Sequence, residues 1–358
     1  MTETSCSRRQ LLGAAAVAGL FGRTGALPGW SGGAPRALRS RPTRVFKVPD
    51  GGKDGREAWA LVLIVESRQP LELEPRALTV EMLNGSTQVA VRRYAAAGVA
   101  GLVIGRNRPA PPAASGAPVH WPLLLWLFCS EQAGLGVDRM QVQLETAGTG
   151  GPPVTSELSL PVEVYSQKTA LIYPFRGKGI VLQGGVANGG HRNRSGQFAL
   201  DGLGLDESWS VCAPGEAERN TDYRGWGRTL LAPAAGVVVH AVGDRPDQPV
   251  AGKSDPAYYA AEFPDGGDPG NHLVIDHENG EFSMIAHLQQ GSLAVRPGGR
   301  VSQGQPIGVL GNSGDSTGPH VHYQLQAGPD WTAADALPSR FGNVEAFPLI
   351  RGTFFEAK

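Results

Sequence analysis

The chain has 358 residues, a length typical of about two domains. It contains 50 glycines and 28 prolines but only 18% charged residues, which argues against a helical bundle and predicts a turn-rich, mostly β protein. The 32 basic and 33 acidic residues nearly balance, so no overall positive field points to nucleic acid as a partner. Three cysteines exclude a disulfide framework and a cysteine-rich zinc ribbon. Cys129 ends an apolar run and is expected to be a buried thiol, with a Cys129–Cys212 bridge as the alternative.

The first 26 residues have the pattern of an export signal. Arg8 and Arg9 precede a weakly hydrophobic stretch of about eleven residues, as in bacterial twin-arginine signals. This stretch is too short to cross a bilayer, which takes about 20 apolar residues, and no later segment is apolar enough for a stable membrane anchor. We therefore expect residues 1–26 to be a twin-arginine signal peptide. The protein would then be exported to the periplasm, the cell envelope or the medium.

The next two regions are predicted to be a linker and an accessory domain. Residues 27–44 are rich in Pro, Gly and Arg and are predicted to be the linker. Residues 45–167 contain short β-type runs whose spacing predicts a small β-sandwich of immunoglobulin-like type, without a cluster of catalytic residue types. The runs predicted as strands are 59–66, 78–82, 88–93, 99–104, 123–128, 140–145 and 158–165. We interpret this region as a spacer or binding module.

The last region, residues 168–350, is predicted to be a compact all-β domain because Gly and Pro punctuate nearly every gap between strand-like runs. The predicted strands are 171–173, 180–183, 198–200, 237–242, 273–276, 282–286, 306–310 and 320–325. Two connections, 202–228 and 243–270, are long and polar. Loops of that length in a compact domain usually form the walls of a site.

Histidines concentrate in this last region. Those after residue 190 are His191, His240, His272, His277, His287, His320 and His322. The segment 311–323 (GNSGDSTGPHVHY) is a glycine-rich loop that leads into a strand. Strand side chains alternate, so His320 and His322 should point to the same face, about 6–7 Å apart. This geometry suits one metal ligand beside one acid/base group, although two surface histidines on a polar strand face would give the same pattern.

The segments before this motif favour a metal site over two surface histidines. Residues 270–280 (GNHLVIDHENG) contain an Asn-Gly hairpin turn, the return strand ends in IAHL at 285–288, and VRPGGRVSQGQPIG follows at 295–308. The series resembles the LytM/lysostaphin-type zinc metalloendopeptidases, which cut peptidoglycan cross-bridges, over about residues 170–328. The resemblance implies a duplicated hybrid motif, an open β-sheet groove that holds one Zn²⁺ per chain.

The resemblance also implies residue roles. In this family the metal is held by the His and Asp of a His-x-x-x-Asp motif and by the second His of His-x-His. Carried over, Asp201 and His322 are zinc ligands, and His287 and His320 are catalytic histidines. The metal would activate a water and polarise the scissile carbonyl. The catalytic histidines would orient the water and stabilise the oxyanion.

The sequence departs from the family at the first metal ligand. Gln197 stands four residues before Asp201, where the family has His, and a neutral amide is a weak ligand for Zn²⁺. His191 lies six residues before Gln197 on a glycine-rich loop that could fold back and supply the missing imidazole. The alternative is that His191 is simply exposed.

Two functions are consistent with these sequence features. The first is an exported zinc metalloendopeptidase that hydrolyses the peptide cross-links of peptidoglycan. The second is a catalytically degenerate LytM-like domain that binds peptidoglycan or regulates another wall hydrolase, and Gln197 favours it. A lipoyl- or sugar-phosphotransferase-like hybrid that shares only the architecture would not explain His320 and His322. Neither the oligomeric state nor the bond cleaved follows from the sequence.

Overall fold

The computed structural model describes residues 36–51, 54–67, 73–104, 123–148, 152–186, 191, 196–212, 215, 217–261 and 267–358. The predicted signal peptide, 1–26, and residues 27–35 of the predicted linker lie outside this part of the chain. The described residues divide into two units, and the boundary between them in the sequence lies between Tyr165 and Ser166. Within them, no helix has the length and apolar character needed to cross a membrane.

The N-terminal unit is built from strands and one short helix. Its elements are β1 (Arg36–Arg41), β2 (Val45–Pro49), β3 (Arg56–Ser67), β4 (Leu73–Asn84), β5 (Thr87–Ala95), α1 (Ala96–Ala100), β6 (Val103–Ile104), β7 (Leu123–Gln132), a 3-10 turn (Ala133–Leu135), β8 (Arg139–Gly148) and β9 (Val154–Val164). Neighbouring strands follow the order β5-β4-β8-β9-β2-β3-β7-β6, with β1 paired to β3. The β2–β9 pair is parallel. Alternate side chains of β3, from Trp59 to Val65, lie in the core of this unit.

Two predictions for this unit need correction. Arg36–Arg41 is a strand on β3 rather than linker, because Leu38 and Ser40 alternate as buried residues between exposed or half-buried neighbours. The arginine-rich composition of the segment hides this alternation. Residues 99–104 were expected to form one strand, but Ala96–Ala100 is helical and Val103–Ile104 alone is extended. The alanines of this stretch favour a helical turn over a strand.

The two described cysteines are not bridged to each other. Cys129 and Cys212 are both buried, and neither forms a disulfide. Burial raises the pKa of the Cys129 thiol to about 12, which makes it an unreactive packing residue, in line with the expected buried thiol.

The C-terminal unit contains a large antiparallel sheet and a separate pair of strands. Its elements are β10 (Gly177–Gly184), β11 (Leu200–Gly204), a 3-10 turn (Asn220–Asp222), β12 (Thr229–Leu231), β13 (Gly236–Val242), a 3-10 turn (Pro256–Tyr258), β14 (Asn271–Asp276), β15 (Phe282–Leu288), β16 (Arg300–Val301), β17 (Pro306–Val309), β18 (Val321–Gln326), β19 (Ala336–Leu337) and β20 (Phe354–Ala357). The sheet order is β16-β13-β14-β15-β18-β11-β10-β20, with β19 on β18 and a separate β12–β17 pair. The prediction of an all-β fold is confirmed.

The C-terminal unit extends beyond the predicted end at residue 350. Strand β20 pairs with β10, and the ring of Phe355 lies 4.6 Å from that of Tyr173. These aromatic side chains are buried together with Phe175, so the last strand closes the hydrophobic core of the unit. At the other end, the predicted loop 202–228 begins later than expected, because 202–204 still belong to β11.

Candidate metal centre

Three neighbouring strands, β15, β18 and β11, bring the candidate site residues together. Asp201 on β11 is paired with His322 on β18, and His322 is paired on its other side with Ala286 of β15. His287 follows Ala286 directly. Residues distant in sequence therefore meet because their strands are adjacent in the sheet.

Both histidines of the His-x-His motif approach the same carboxylate. His322 Nδ1 lies 2.9 Å from Asp201 Oδ1, and His320 Nε2 lies 3.6 Å from the same oxygen. The two rings thus point to one face of β18, as strand alternation requires. Asp201 is 7% exposed and His320 is 5% exposed, so this contact is largely screened from water.

His191 lies on the other side of this carboxylate. Its Nε2 is 3.1 Å from Asp201 Oδ2, and its ring stands perpendicular to the ring of His322 with centroids 4.9 Å apart. His191, Asp201 and His322 each offer one ligand atom, and these three atoms lie within 4.8 Å of one another. Among the described residues this trio is the one group of His, Cys, Asp or Glu side chains that meets this criterion.

The trio fits a catalytic zinc ion. Catalytic zinc sites combine three protein ligands, drawn from His, Cys, Asp and Glu, with an open position for water. Two imidazoles and one carboxylate meet this requirement without a contribution from Gln197, whose side chain is buried ahead of β11. In this arrangement the imidazole comes from a position ten residues before Asp201 instead of four.

His287 is held in an unusual backbone conformation. Its φ of 63° lies in the left-handed region, which costs a residue other than glycine about 1–3 kcal/mol. Its N–H donates to Pro269 O at 3.1 Å, and its carbonyl accepts from Gly311 N–H at 3.1 Å. Its ring Nδ1 donates to Ser313 O at 2.8 Å, which leaves Nε2 as the nitrogen with a lone pair. The ring centroid lies 4.7 Å from that of His320.

The ring of His320 is also oriented by backbone. Its Nδ1 donates to Gly318 O at 2.8 Å, with Ser316 Oγ at 3.1 Å. The 3.6 Å between Nε2 and Asp201 exceeds ordinary hydrogen-bond length. Nε2 is therefore the nitrogen of this ring that can serve a substrate.

The surroundings of the cluster shift the pKa values of His287 and His320 in opposite directions. Burial lowers the pKa of His287 well below its usual value, and the neighbouring His320 and His322 lower it further. Burial also opposes protonation of His320, but the Asp201 carboxylate outweighs it and raises the pKa of His320. Burial alone would raise the pKa of Asp201, yet His191 and His320 hold it well below its usual value. His287 is thus neutral where His320 tends to carry a proton, a pairing suited to acid and base roles.

The glycine-rich loop that carries His320 packs against the start of β14. Gly314 has a φ of 72°, and a Cβ at this position would lie 2.4 Å from the backbone nitrogen of Gly270. A Cβ on Gly270, whose φ is 59°, would meet the Ser313 carbonyl carbon at the same distance. Glycine is required at both positions by this close approach.

Asp315 connects this loop to the long connection 243–270. Its Oδ1 accepts hydrogen bonds from Ser254 Oγ at 2.9 Å and from Tyr259 OH at 2.6 Å. Its Oδ2 accepts from Gly267 N–H at 2.7 Å. Asp315 therefore shapes loops, as its Asx-type surroundings in the sequence indicate.

The other described histidines have structural contacts. His272 Nδ1 donates to Gly270 O at 2.8 Å, and burial lowers its pKa to about 4. His277 contacts Ala235 O and Ser283 Oγ, each at 2.8 Å. His240 is exposed.

Sequence reasoning missed the partners on the far side of His322. Its Nε2 lies 3.0 Å from Gln324 Oε1, and Gln324 in turn contacts Gln326. The alternation of β18, which already grouped His320 with His322, also places these two glutamines on the same face. Their positions were therefore available from the sequence once the strand was recognised.

Comparison with known proteins matches the C-terminal unit to peptidases. Residues 219–333 match the family model of Peptidase family M23. The chain is 46% identical over 56 residues to the peptidoglycan DD-endopeptidase ShyA of Vibrio cholerae, covering 16% of this chain and 13% of ShyA. It is 45% identical over 60 residues to the DD-carboxypeptidase/endopeptidase Mpg of Neisseria meningitidis, covering 17% and 13%. The chain thus spans a small part of each relative.

Two solved peptidase structures align with this chain at low sequence identity. A zinc-containing peptidase from Vibrio cholerae aligns with a TM-score of 0.28 at 12% identity, over 80% of this chain and 82% of that one. The catalytic domain of lysostaphin from Staphylococcus simulans aligns with a TM-score of 0.22 at 20% identity, over 35% and 84%.

The family match and the cluster complement each other. The resemblance to LytM/lysostaphin-type peptidases is confirmed, and the matched segment contains His287, His320 and His322. Asp201 and His191 precede the segment, so their place in the site rests on the geometry of the cluster.

Proposed function

We propose, from the match of residues 219–333 to the model of peptidase family M23, that this protein is a zinc metalloendopeptidase that hydrolyses peptide cross-links of bacterial peptidoglycan. The observation that carries the proposal is the trio His191, Asp201 and His322, whose ligand atoms lie within 4.8 Å of one another. The name of the relative ShyA, a peptidoglycan DD-endopeptidase, supports peptidoglycan peptides as the substrate.

His191, Asp201 and His322 would hold the metal, one Zn²⁺ per chain. When bound there, zinc lowers the pKa of a coordinated water and polarises the carbonyl of the scissile peptide. The low pKa of Asp201 keeps its carboxylate ionised and available as a ligand at neutral pH.

His287 has the properties of a general base. Its Nδ1–H is occupied by the carbonyl of Ser313, so the ring presents the lone pair of Nε2 to the site. Its lowered pKa keeps this lone pair unprotonated at neutral pH. The ring can therefore accept a proton from the attacking water and pass it to the leaving amine.

His320 has the complementary properties. Its Nδ1 is occupied by Gly318 O, and its raised pKa favours a proton on Nε2. An N–H donor on this nitrogen would stabilise the oxyanion that forms when water adds to the scissile carbonyl. The fixed orientation of the ring means that this donor needs no rearrangement during the reaction.

The proposed cellular context follows from the N-terminal sequence. The twin arginines at Arg8 and Arg9 support export by the twin-arginine route to the periplasm, envelope or medium, where peptidoglycan is accessible. The balanced charge of the chain gives no reason to expect nucleic acid as a partner.

The second candidate is a degenerate domain that binds peptidoglycan or regulates another hydrolase. Gln197, in place of the family's ligand His, is the observation that favours it. Such a domain would bind wall fragments without releasing new peptide ends.

Digestion of purified peptidoglycan separates the two functions. The protein without residues 1–26 is incubated with wall fragments and Zn²⁺, and new amino termini are identified by mass spectrometry. New termini with the wild type, and none with His287→Ala or His320→Ala, would support the peptidase. Binding to the wall without new termini, under conditions in which a known wall peptidase is active, would contradict it and favour the second candidate.

A further inference from the structure

Three polar side chains form a row along one face of β18. His322, Gln324 and Gln326 occupy alternate positions of the strand, so they point the same way. Gln324 is 3% exposed and Gln326 is fully buried. A buried amide without hydrogen bonds costs about 1–3 kcal/mol, so the contacts of these side chains determine how they are oriented.

The direction of every hydrogen bond in this row is fixed from one end. The carbonyl of Gly328 can only accept, so the side-chain atom 2.7 Å from it must be the amide nitrogen of Gln326. Gln326 Oε1 then accepts from Gln324 Nε2, at 2.5 Å. Gln324 consequently presents Oε1, an acceptor, to His322 Nε2 at 3.0 Å.

We infer that Gln324 and Gln326 are positioning residues that keep the proton of neutral His322 on Nε2 and leave the lone pair of Nδ1 for the metal. For the metal, this inference rests on the proposed function. The hydrogen-bond row itself ends at the backbone of Gly328 and does not depend on the metal.

The contact between His322 and Asp201 favours the opposite tautomer, with the proton on Nδ1. Nδ1 lies 2.9 Å from Asp201 Oδ1, and a lone pair and a carboxylate oxygen at that distance repel each other unless a cation lies between or beside them. A metal ion meets this need, and so does a proton on Nδ1. Because a hydrogen bond to a carboxylate is about twice as strong as one between neutral groups, Asp201 alone would draw the proton to Nδ1 and block the ligand atom.

The row counters this pull at the other ring nitrogen. If the proton moved to Nδ1, the lone pair of Nε2 would face Gln324 Oε1 at 3.0 Å, and that oxygen could not turn away without breaking the bonds to Gln326 and Gly328. Two buried glutamines linked to a main-chain carbonyl thus favour one tautomer of a ligand histidine. Partners of this kind typically change metal affinity by about 10–100-fold when they are removed.

The test uses the protein without residues 1–26, labelled with ¹⁵N and freed of metal. Imidazole ¹⁵N spectra, recorded at a pH where His322 is neutral, report which nitrogen carries the proton. Two variants are compared: Gln324→Met removes the acceptor, and Gln303→Leu removes an amide that donates elsewhere, to Ala170 O and Pro233 O. Circular dichroism and thermal melting establish that each variant is folded.

We expect a larger fraction of the Nε2–H tautomer in the wild type and in Gln303→Leu than in Gln324→Met, in which the proton should shift toward Nδ1. Competition with a chelator should show that Gln324→Met binds Zn²⁺ about 10–100-fold more weakly than Gln303→Leu. The same ratio of tautomers in folded Gln324→Met as in the wild type would overturn the inference. A wild type that has more of the Nε2–H tautomer than Gln324→Met but binds no Zn²⁺ would instead refute the proposed metal site, because the tautomer is measured without metal.

Discussion

The imidazole of His191 lies against the carboxylate of Asp201, with Nε2 3.1 Å from Oδ2. The other carboxylate oxygen, Oδ1, faces His322 Nδ1 at 2.9 Å. Asp201 therefore bridges two imidazoles from opposite sides, although neither is at the position four residues before it. A loop histidine can replace a strand histidine because the positions of the ligand atoms in space define a metal site. The spacing of the ligand residues in the sequence does not.

Substitution of His191 should weaken zinc binding far more than substitution of Gln197. His191→Ala removes an imidazole of the trio, so the affinity should fall by more than the ~10–100-fold typical of losing an outer partner. Gln197→Ala should change the affinity only a few-fold. Chelator competition measures both variants, and small, equal losses would remove His191 from the ligand set.

Substitution of either catalytic histidine should separate zinc binding from activity. His287→Ala and His320→Ala leave the trio intact, so each should retain zinc. Their rate of cross-link hydrolysis should fall by about 10²–10⁴-fold, the usual contribution of acid/base catalysis. Elemental analysis and a peptide-release assay give the two readouts, with exposed His240→Ala as the control. Wild-type rates in both site variants would refute the assigned roles.

His272 should make the C-terminal unit less stable at mildly acidic pH. Its pKa is lowered from 6.5 to about 4 by burial, so the folded protein holds it neutral while the unfolded chain protonates it. The unfolded state then binds more protons below pH 6.5, and stability decreases as the pH falls toward 4. At pH 5 the loss amounts to about 2 kcal/mol.

Urea unfolding at pH 7 and pH 5 tests this prediction. His272→Asn keeps a side-chain N–H that can donate to Gly270 O but does not titrate. The variant should lose about 2 kcal/mol less than the wild type between the two pH values. Identical losses in both proteins would show that His272 does not remain neutral in the folded state.

Asp315 should stabilise the contact between two loops. Asp315→Ala removes the carboxylate that accepts from the N–H of Gly267 and from the hydroxyl groups of Ser254 and Tyr259. The loss of these acceptors should lower the free energy of unfolding by about 1–3 kcal/mol. Ser254→Ala removes one donor and leaves Tyr259 and Gly267 in place, so its effect should be smaller. The opposite order in urea unfolding would contradict the assigned role of Asp315.

The sequence predicted most where its patterns are local. Strand-like runs separated by Gly and Pro located most strands of the C-terminal sheet, and the spacing of His320 and His322 predicted a shared face. The linker prediction failed at Arg36–Arg41, where arginines obscure an alternating pattern that becomes stable only on pairing with β3. Val99 belongs to a helical turn because the neighbouring alanines favour a helix over a strand.

Local sequence patterns predicted the candidate site less well than they predicted the strands. The 3.1 Å contact between His191 and Asp201 depends on how a loop folds back, which no periodicity encodes. The left-handed backbone of His287 depends on contacts with Pro269 and Gly311, which are distant in sequence. The roles of Asp201, His287, His320 and His322 came instead from the resemblance to a family, which supplied the long-range pairing that the residues alone do not show.

The zinc content of the purified protein tests the central claim most directly. The chain without residues 1–26 is dialysed exhaustively without chelator, and zinc per chain is measured by elemental analysis. We predict about one zinc per chain, as expected for three protein ligands and a water, and a marked loss in Asp201→Ala and His322→Ala. A chain that retains essentially no zinc even after the metal is supplied, or variants that retain it in full, would contradict the assigned metal centre.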